Sequence, residues 1–386
     1  MNPHFDTPLP LPVELEHAFR RAAGAGNLVG ALKELWPWLA QEAGAPRGSD
    51  HYSLRQMMTR AYTAYYGPAN AMKLPAILSE MEWAGLPLPS GDVRLLDVGC
   101  GPGTAAAGAA WWWGERGVKV SATGLDWSAE FLSLATAVLS ALGARLQTQR
   151  GDWSKVGELQ RVVKESRPQV VVASNALNEV RRGPGELASL WAGVLTELAV
   201  LSKRDKGPHY LILLEPGNRD AYRRLLQLRK ALLEGALLPP GVSLTLPCLD
   251  HRPCGALADP KDWCHEEVPV VLPAWHEELG RGAGLFKESL IFSYLVFAVL
   301  PDGVPAGFPV GAARVVSQRM EEKGLMKCYV CTASNGKRLA RVLNSRRTEQ
   351  NEALAVCRRG EVFTTLELGE KGDAFVAMRS SKKNKA

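Results

Sequence analysis

Several things are scarce in this chain, and each scarcity excludes something. Long apolar runs are missing. The longest, such as Leu290 to Leu300, falls short of the roughly 20 residues a bilayer-spanning helix needs and reads as a buried strand. No charged-then-apolar segment opens the chain; Met1 to Glu14 is proline-rich and acidic to neutral, so no secretory leader is expected and a cytoplasmic location is. Seven cysteines in 386 residues are too few for a disulfide framework. In a reducing compartment, cysteines that cluster more often bind metal. No internal repeat or low-complexity segment stands out. A hydrophobic content of 46% with 22% charge is ordinary for a globular chain, and the length calls for two or three units.

The formal charge of +6 is unevenly spread. Residues 304–386 hold 16 Lys or Arg against 8 Asp or Glu, a balance of +8, and the rest balances at −2. The excess includes the tail Ser380 to Lys385 and the pairs Arg346-Arg347 and Arg358-Arg359. Such asymmetry favours a polyanionic partner, nucleic acid first. A lone basic tail is more often just a solvated, solubilising one.

One stretch organises the rest, Leu95 to Thr104, written LLDVGCGPGT. It reads as a buried strand ending in Asp97, a turn with Gly99, Gly101 and Gly103, and a helix. Glycine lets the backbone turn sharply and approach a ligand, to which the helix start presents free N–H groups. The next strand, Val118 to Leu125, ends in Asp126, an acid placed to accept both hydroxyls of a ribose. The third, near Arg145, leads to Gly151-Asp152-Trp153, where a short acid can accept from an adenine amine while an aromatic or the backbone packs on the ring. The fourth, Gln169 to Ala173, opens into Ser174-Asn175-Ala176-Leu177-Asn178-Glu179. Short apolar runs near Leu95, Val120, Arg145, Val170 and Ile212 alternate with helical segments, which predicts an α/β fold with a doubly wound parallel sheet, its ligand at the carboxyl ends of the strands.

LLDVGCGPGT resembles motif I of class I S-adenosylmethionine methyltransferases, and the four places just named follow in that order. The resemblance implies S-adenosyl-L-methionine as cofactor, held by Asp97, Gly99, Gly101, Gly103, Asp126, Asp152, Trp153 and Asn175. The competing nicotinamide fingerprint spaces its glycines GxGxxG and has no acid before the first. Enzymes that methylate exocyclic amines carry Asn/Asp-Pro-Pro-aromatic after the fourth strand; this chain lacks the prolines and the aromatic. Asn175, Asn178 and Glu179 lie near the methyl group by topology and are weak catalytic candidates, with helix capping the plainer use of the asparagines.

Residues 1–90 read as a helical layer, with helices over Val13 to Ala23, Leu28 to Ala43 and Tyr52 to Tyr66. Tyr62, Tyr65 and Tyr66 precede Gly67-Pro68, expected to break the third helix, and the layer is expected to cap the cofactor cleft. Residues 91–300 read as the methyltransferase domain, with a cysteine-rich insertion at 247–275. There Cys248, Cys254 and Cys264 fall within seventeen residues among prolines and glycine, and thiolates on so turned a loop can converge on one metal. Cys328 and Cys331, on a strand expected over Leu325 to Thr332, offer a fourth ligand; zinc with His251 or His265 fits the spacing as well as iron–sulfur does. Residues 301–370 read as a small antiparallel, barrel-like β module rich in Lys and Arg. Its strands are expected over Ala312 to Met320, Leu325 to Thr332, Lys337 to Leu343 and Val362 to Leu368, with a hairpin turn at Asn335-Gly336. Residues 371–386 form a basic tail.

Pro247-Cys248, Cys254, Asp262-Trp263-Cys264-His265, Lys287 and Phe292-Ser293-Tyr294-Leu295 resemble the methyltransferase-like proteins of ribosomal small-subunit assembly, mitochondrial and bacterial. The resemblance runs from roughly Tyr52 to Gly360. It implies a 4Fe-4S cluster on Cys248, Cys254, Cys264 and, matching best, Cys331. It implies the small ribosomal subunit and its rRNA as partners, with no membrane and no DNA expected. Either a methyltransferase acting on that RNA or a non-catalytic assembly factor fits; a small-molecule methyltransferase would explain neither the cysteines nor the basic C-terminal part.

Overall fold

The computed structural model describes residues 8–40, 55–155, 157–249, 251–303, 311–333 and 336–379. The tail from Ser380, the expected helix start at Tyr52 and Asn335 of the expected hairpin turn lie outside these residues. Strand β1 (Leu9–Pro10) is followed by helices α1 (Val13–Ala23), α2 (Leu28–Ala40), α3 (Gln56–Ala71) and α4 (Lys73–Trp83). The third helix does not break at Gly67-Pro68 but runs on to Ala71. Gly67 is where the Phe19 ring of α1 packs; a Cβ there would come within 2.5 Å of it, so the glycine serves helix contact.

Strands and helices then alternate: β2 (Val93–Val98), α5 (Thr104–Gly114), β3 (Val120–Asp126), α6 (Ala129–Ala141), β4 (Arg145–Arg150), α7 (Glu158–Ser166), β5 (Val170–Ser174), α8 (Pro184–Asp205), β6 (His209–Pro216) and α9 (Arg219–Glu234). Strands β7 (Val242–Leu246) and β8 (Glu266–Val271), helix α10 (Ala274–Ala283) and β9 (Ser289–Val299) complete this part. The sheet runs β1-β8-β9-β6-β5-β2-β3-β4, with β7 also on β9. Strands β6-β5-β2-β3-β4 are parallel, and β9 is antiparallel to β6. The chain winds outward from β2 to β4, then returns to lay β5 on the other side of β2. That reversal opens a crevice at the carboxyl ends of β2 and β5, where open α/β sheets take ligands. This is a mixed, doubly wound α/β sheet.

Alternation along each strand sends side chains to two cores. Val93 and Leu95 of β2 face α4 and α5; Leu96 and Val98 face α7, α8 and α9. Helix α8 is long and apolar enough to cross a membrane, but 56% of that window is buried, with Leu187, Trp191, Val194 and Leu198 in the second core.

A second sheet holds β10 (Ala313–Val315), β11 (Met320–Glu322), β12 (Leu325–Thr332), β13 (Gly336–Leu343), β14 (Val362–Leu368) and β15 (Ala374–Arg379), with the one-turn helix α11 (Glu352–Ala355) before β14. All its pairings are antiparallel. The single strand expected over Ala312 to Met320 is two short ones in line along β12, because the register slips by two residues between Val315↔Val330 and Met320↔Lys327 and the residues between them bulge out of the ladder. An Arg341↔Asp373 bridge brings β13 against the start of β15 and nearly closes the sheet on itself.

Candidate cofactor cleft and cysteine cavity

The crevice is lined by the turn after β2. Gly99, Gly101 and Gly103 have φ of +66°, +52° and +78°, the left-handed region in which a Cβ is strained. Gly99 also has no room, since a Cβ would lie 2.8 Å from that of Ala176. Asp97 is 1% exposed and accepts the Ala106 N–H of α5 at 3.0 Å, so it ties strand to helix. Burial pushes its carboxyl up to about 7, opposed by that hydrogen bond. Asp126 accepts the Gly101 N–H at 2.9 Å and the Ser128 N–H at 2.8 Å, one on each oxygen. The second strand's acid thus shapes the glycine turn itself.

Asp152 and Trp153 sit differently from each other. Asp152 Oδ1 accepts from the amide and hydroxyl of Ser154, and its own N–H donates to Glu158 at 2.6 Å. Trp153 is 1% exposed and leans on Trp191 with ring centroids 5.7 Å apart. An indole ring leaves water most completely in the core, so it does not lie open over the cleft as the sequence suggested. Its Nε1, however, reaches the underside of Gly99 and has no partner among the described residues.

At the end of β5, Asn175 takes a φ of +55°, a conformation that costs a non-glycine residue on the order of 1 kcal/mol or more and gathers at functional sites. Its N–H donates to the Leu214 carbonyl at 2.7 Å. Ser174 Oγ, Asn175 Oδ1 and Asn178 Oδ1 are buried without partners among the described residues. Neither asparagine caps α8, which starts five residues beyond Glu179 after Gly183. Instead Leu177–Glu179 forms a short 3₁₀ turn whose Leu177 and Asn178 amides donate to Glu215 at 2.9 and 3.2 Å. Glu215 is 1% exposed, and burial pushes its carboxyl up to about 8. The sequence held a signal for it: like Asp97 and Asp126, it is an acid at the carboxyl end of a parallel strand. The helical layer covers the crevice through Tyr62, whose hydroxyl meets the side chains of Asn70 and Asn175 and lies near Glu179 and Asp126. Burial holds that phenol well above its ordinary pKa.

A separate cavity of about 90 Å³ lies beyond β6 and β9, and Cys248, Cys254, Cys264 and Cys331 all line it. It is far larger than the roughly 10–15 Å³ one water needs. Burial raises the Cys264 thiol, and Glu266, Cys248 and Cys331 add to that; burial first, and then Cys264, Cys254 and Cys248, raise Tyr222, whose hydroxyl is 3.8 Å from Cys254 Sγ. Among the described residues, no three His, Cys, Asp or Glu side chains stand close enough to hold a single metal ion. Cys328 is on the other face. Three positions from Cys331 on a strand, it points into the barrel core with its Sγ 3.7 Å from that of Cys357. His251 Nε2 contacts the Leu244 carbonyl at 2.9 Å and does not line the cavity, whereas His265 does. Burial and then Arg359 lower His265 to about 4. Cys100 is packed behind the glycine turn against Gly124.

The loop is anchored on two sides. Arg223 of α9 donates to the carbonyls of Ala256 and Asp259 at 3.2 and 2.9 Å, and Arg252 donates to Ala333 at 2.8 Å. A buried charge group closes the seam between the sheets. Arg314 of β10, 2% exposed, pairs with Glu80 of α4 and with Glu266 of β8 at 2.8 Å, and the Tyr294 hydroxyl donates to Glu80 at 2.5 Å. Arg314 lies opposite Cys331 in the β10–β12 ladder, so the residue that pins the second sheet stands beside the fourth thiol.

A family model described as mitochondrial small ribosomal subunit Rsm22 matches residues 56–382. Comparison with curated proteins gives no match. Among solved structures, a SAM-dependent methyltransferase from Geobacter sulfurreducens in complex with S-adenosyl-L-homocysteine aligns at 19% identity and a TM-score of 0.29, over 61% of this chain and 91% of that one. Precorrin-6y C5,15-methyltransferase from Geobacter metallireducens aligns at 11% identity and a TM-score of 0.32, over 67% of this chain and 93% of that one. With the family model spanning all but the first 55 and last few residues, the chain belongs to the mitochondrial small ribosomal subunit Rsm22 family.

Proposed function

We propose that this protein binds S-adenosyl-L-methionine in the crevice above β2 and β5 and binds the RNA of the small ribosomal subunit. The observation that carries the cofactor reading is the set of buried polar atoms left open around a glycine-shaped turn: Trp153 Nε1, Ser174 Oγ, Asn175 Oδ1 and Asn178 Oδ1. Buried polar groups are nearly always paired, so a polar ligand fits them better than an empty crevice does. Asp126 would accept the ribose hydroxyls, Asp152 an adenine amine, and the turn at Gly99 to Gly103 would take the amino-acid part. When bound, the cofactor supplies an electrophilic methyl group; the chain's part is to orient it beneath Tyr62 and Asn175 and exclude water.

The four cavity cysteines would hold a 4Fe-4S cluster. Four thiols around one space repel one another as thiolates, which a bound cation relieves. The cavity is wider than a single ion needs, which favours a cluster over zinc. The cluster would staple the loop at 247–264 to the second sheet. RNA would lie on the basic second sheet and tail.

A non-catalytic assembly factor is the second reading. It is favoured by the missing proline and aromatic after β5, and by Glu215 holding the Leu177 and Asn178 amides where such a motif would present an acceptor. Titration calorimetry with S-adenosyl-L-methionine, followed by incubation with small-subunit RNA and radiolabelled cofactor, tests both. Cofactor binding is the expected result, and no heat with intact protein would overturn it. Label in the RNA would identify the enzyme; bound cofactor without label would identify the assembly factor.

A further inference from the structure

Tyr222 stands where a phenylalanine would pack as well. It lies in the first turn of α9, is 8% exposed, and packs its ring with Leu226 and Ala256 against the cysteine loop. It lines the cysteine cavity, and its hydroxyl lies 3.8 Å from Cys254 Sγ, a reach that suits the large sulfur atom. That sulfur is the hydroxyl's one hydrogen-bond partner among the described residues. Two turns on, Arg229 comes to the same face of α9 and lines the same cavity. It is 2% exposed, and one of its N–H groups donates to the Arg252 carbonyl at 3.0 Å. One helix face thus presents a phenol hydroxyl and a fixed positive charge to the thiols.

Packing calls for neither group. Burying a hydroxyl costs free energy unless it is bonded, and the sulfur of a neutral thiol is a weak acceptor. A thiolate is a strong one, because hydrogen bonds to ionised acceptors are about twice as strong as neutral ones. The contact therefore suits a Cys254 that has given up its proton to bind metal better than it suits a free thiol. The direction of the bond follows: a metal-bound thiolate has no proton, so the Tyr222 hydroxyl is the donor. Arg229 fits the same state, since a buried guanidinium stays charged and thiolates beside it offset that charge.

We infer that Tyr222 sets the reduction potential of the metal centre held by the four cysteines, by donating a hydrogen bond to the Cys254 thiolate. The inference rests on the 4Fe-4S reading above. When one electron enters from a reductant, the centre gains a negative charge and no bond forms or breaks. A donor to a ligating sulfur favours the more negative state, so it raises the potential. Tyr222 touches no metal; it acts through Cys254. The site then takes up an electron at a potential the chain itself sets, which a staple alone does not require.

The test uses the full chain purified without oxygen, the parent beside Tyr222→Phe, with iron and sulfide counted in both. Each is titrated with dithionite through mediators while electron paramagnetic resonance follows the reduced centre. Phenylalanine keeps the ring, so iron, sulfide and melting should match the parent. At a fixed poise the reduced-to-oxidised ratio should drop about tenfold, a fall of about 59 mV for one electron. Should Tyr222→Phe not fold or not hold iron, the parent is grown on 3-fluorotyrosine, a stronger donor, and its potential should rise. Equal potentials in parent and variant with full iron in both, or a potential that fluorotyrosine leaves unmoved, would overturn the role of Tyr222 and leave the cluster standing. A parent without iron and sulfide would overturn the cluster reading and this inference with it.

Discussion

Asp97 shows how one side chain can shape both a fold and a site. Its carboxylate holds the start of α5 at the point where the glycine turn begins. Asp97→Asn keeps the shape but exchanges a carboxyl group for an amide with one acceptor oxygen in place of two. Cofactor affinity should fall at least tenfold, with stability lower by about 1–3 kcal/mol. Calorimetry and urea unfolding read the two effects, and full affinity in the variant would remove Asp97 from the site. His276 bears on acid stability. Its pKa in the fold is about 4 against an ordinary 6.5, chiefly because burial disfavours the charged ring. The folded state therefore binds fewer protons than the unfolded one. The stability tied to the neutral ring is whole above about pH 6.5 and is lost as the pH falls to about 4, on the order of 3 kcal/mol at the bottom of that window. His276→Phe should flatten the urea midpoint between pH 6.5 and 4; an unchanged slope would exclude this ring as a cause. Residue roles of this kind were only partly legible. Asp97, Asp126 and the glycines announce themselves by order and spacing, whereas Trp153 reads as a cleft aromatic until its packing on Trp191 is seen.

At the scale of elements, local patterning was a good guide where neighbours in sequence decide the outcome. The strand–turn–helix at Val93 to Gly114 lies where its apolar run and glycines place it. Helix α3 was misjudged because the contact that tolerates Gly67 is made by Phe19, nearly fifty residues earlier. The alternation of β12 separates two cysteines that the sequence left as rivals. Cys331 faces the cavity with the loop thiols, and Cys328 faces Cys357. If the proposed cluster is held in this cavity, Cys331→Ala should lose its iron, while Cys328→Ala should keep it and cost about 1 kcal/mol or more through lost core packing. Equal iron loss in both would contradict this division of the strand's faces.

For the whole molecule, the decisive contacts join segments that no periodicity connects. Glu80 and Arg314 are 234 positions apart, yet they meet in the seam between the sheets, with Glu266 and Tyr294 beside them. A sequence shows each as one charged residue in an apolar run and gives no sign of its partner. Removing one partner leaves the others buried and uncompensated, so Arg314→Met should destabilise by about 3–5 kcal/mol. Because Arg314 faces Cys331 across the ladder, the second sheet should also loosen from the cysteine loop, read as faster reaction of Cys331 with a thiol reagent. The Lys- and Arg-rich residues 304–386, proposed to take the RNA, should bind small-subunit RNA with an affinity that falls steeply as salt rises, since released counterions drive such binding. A flat salt dependence would count against RNA there.

The most direct measurement is an anaerobic purification of the full chain with iron, sulfide and zinc determined per protein and a visible spectrum recorded. About four irons and four sulfides, with a broad band near roughly 400 nm, are expected from four thiols around one cavity, and Cys331→Ala should lose them. One zinc and no iron, or no metal at all, would contradict the cluster and leave the four cysteines as the wall of an apolar cavity.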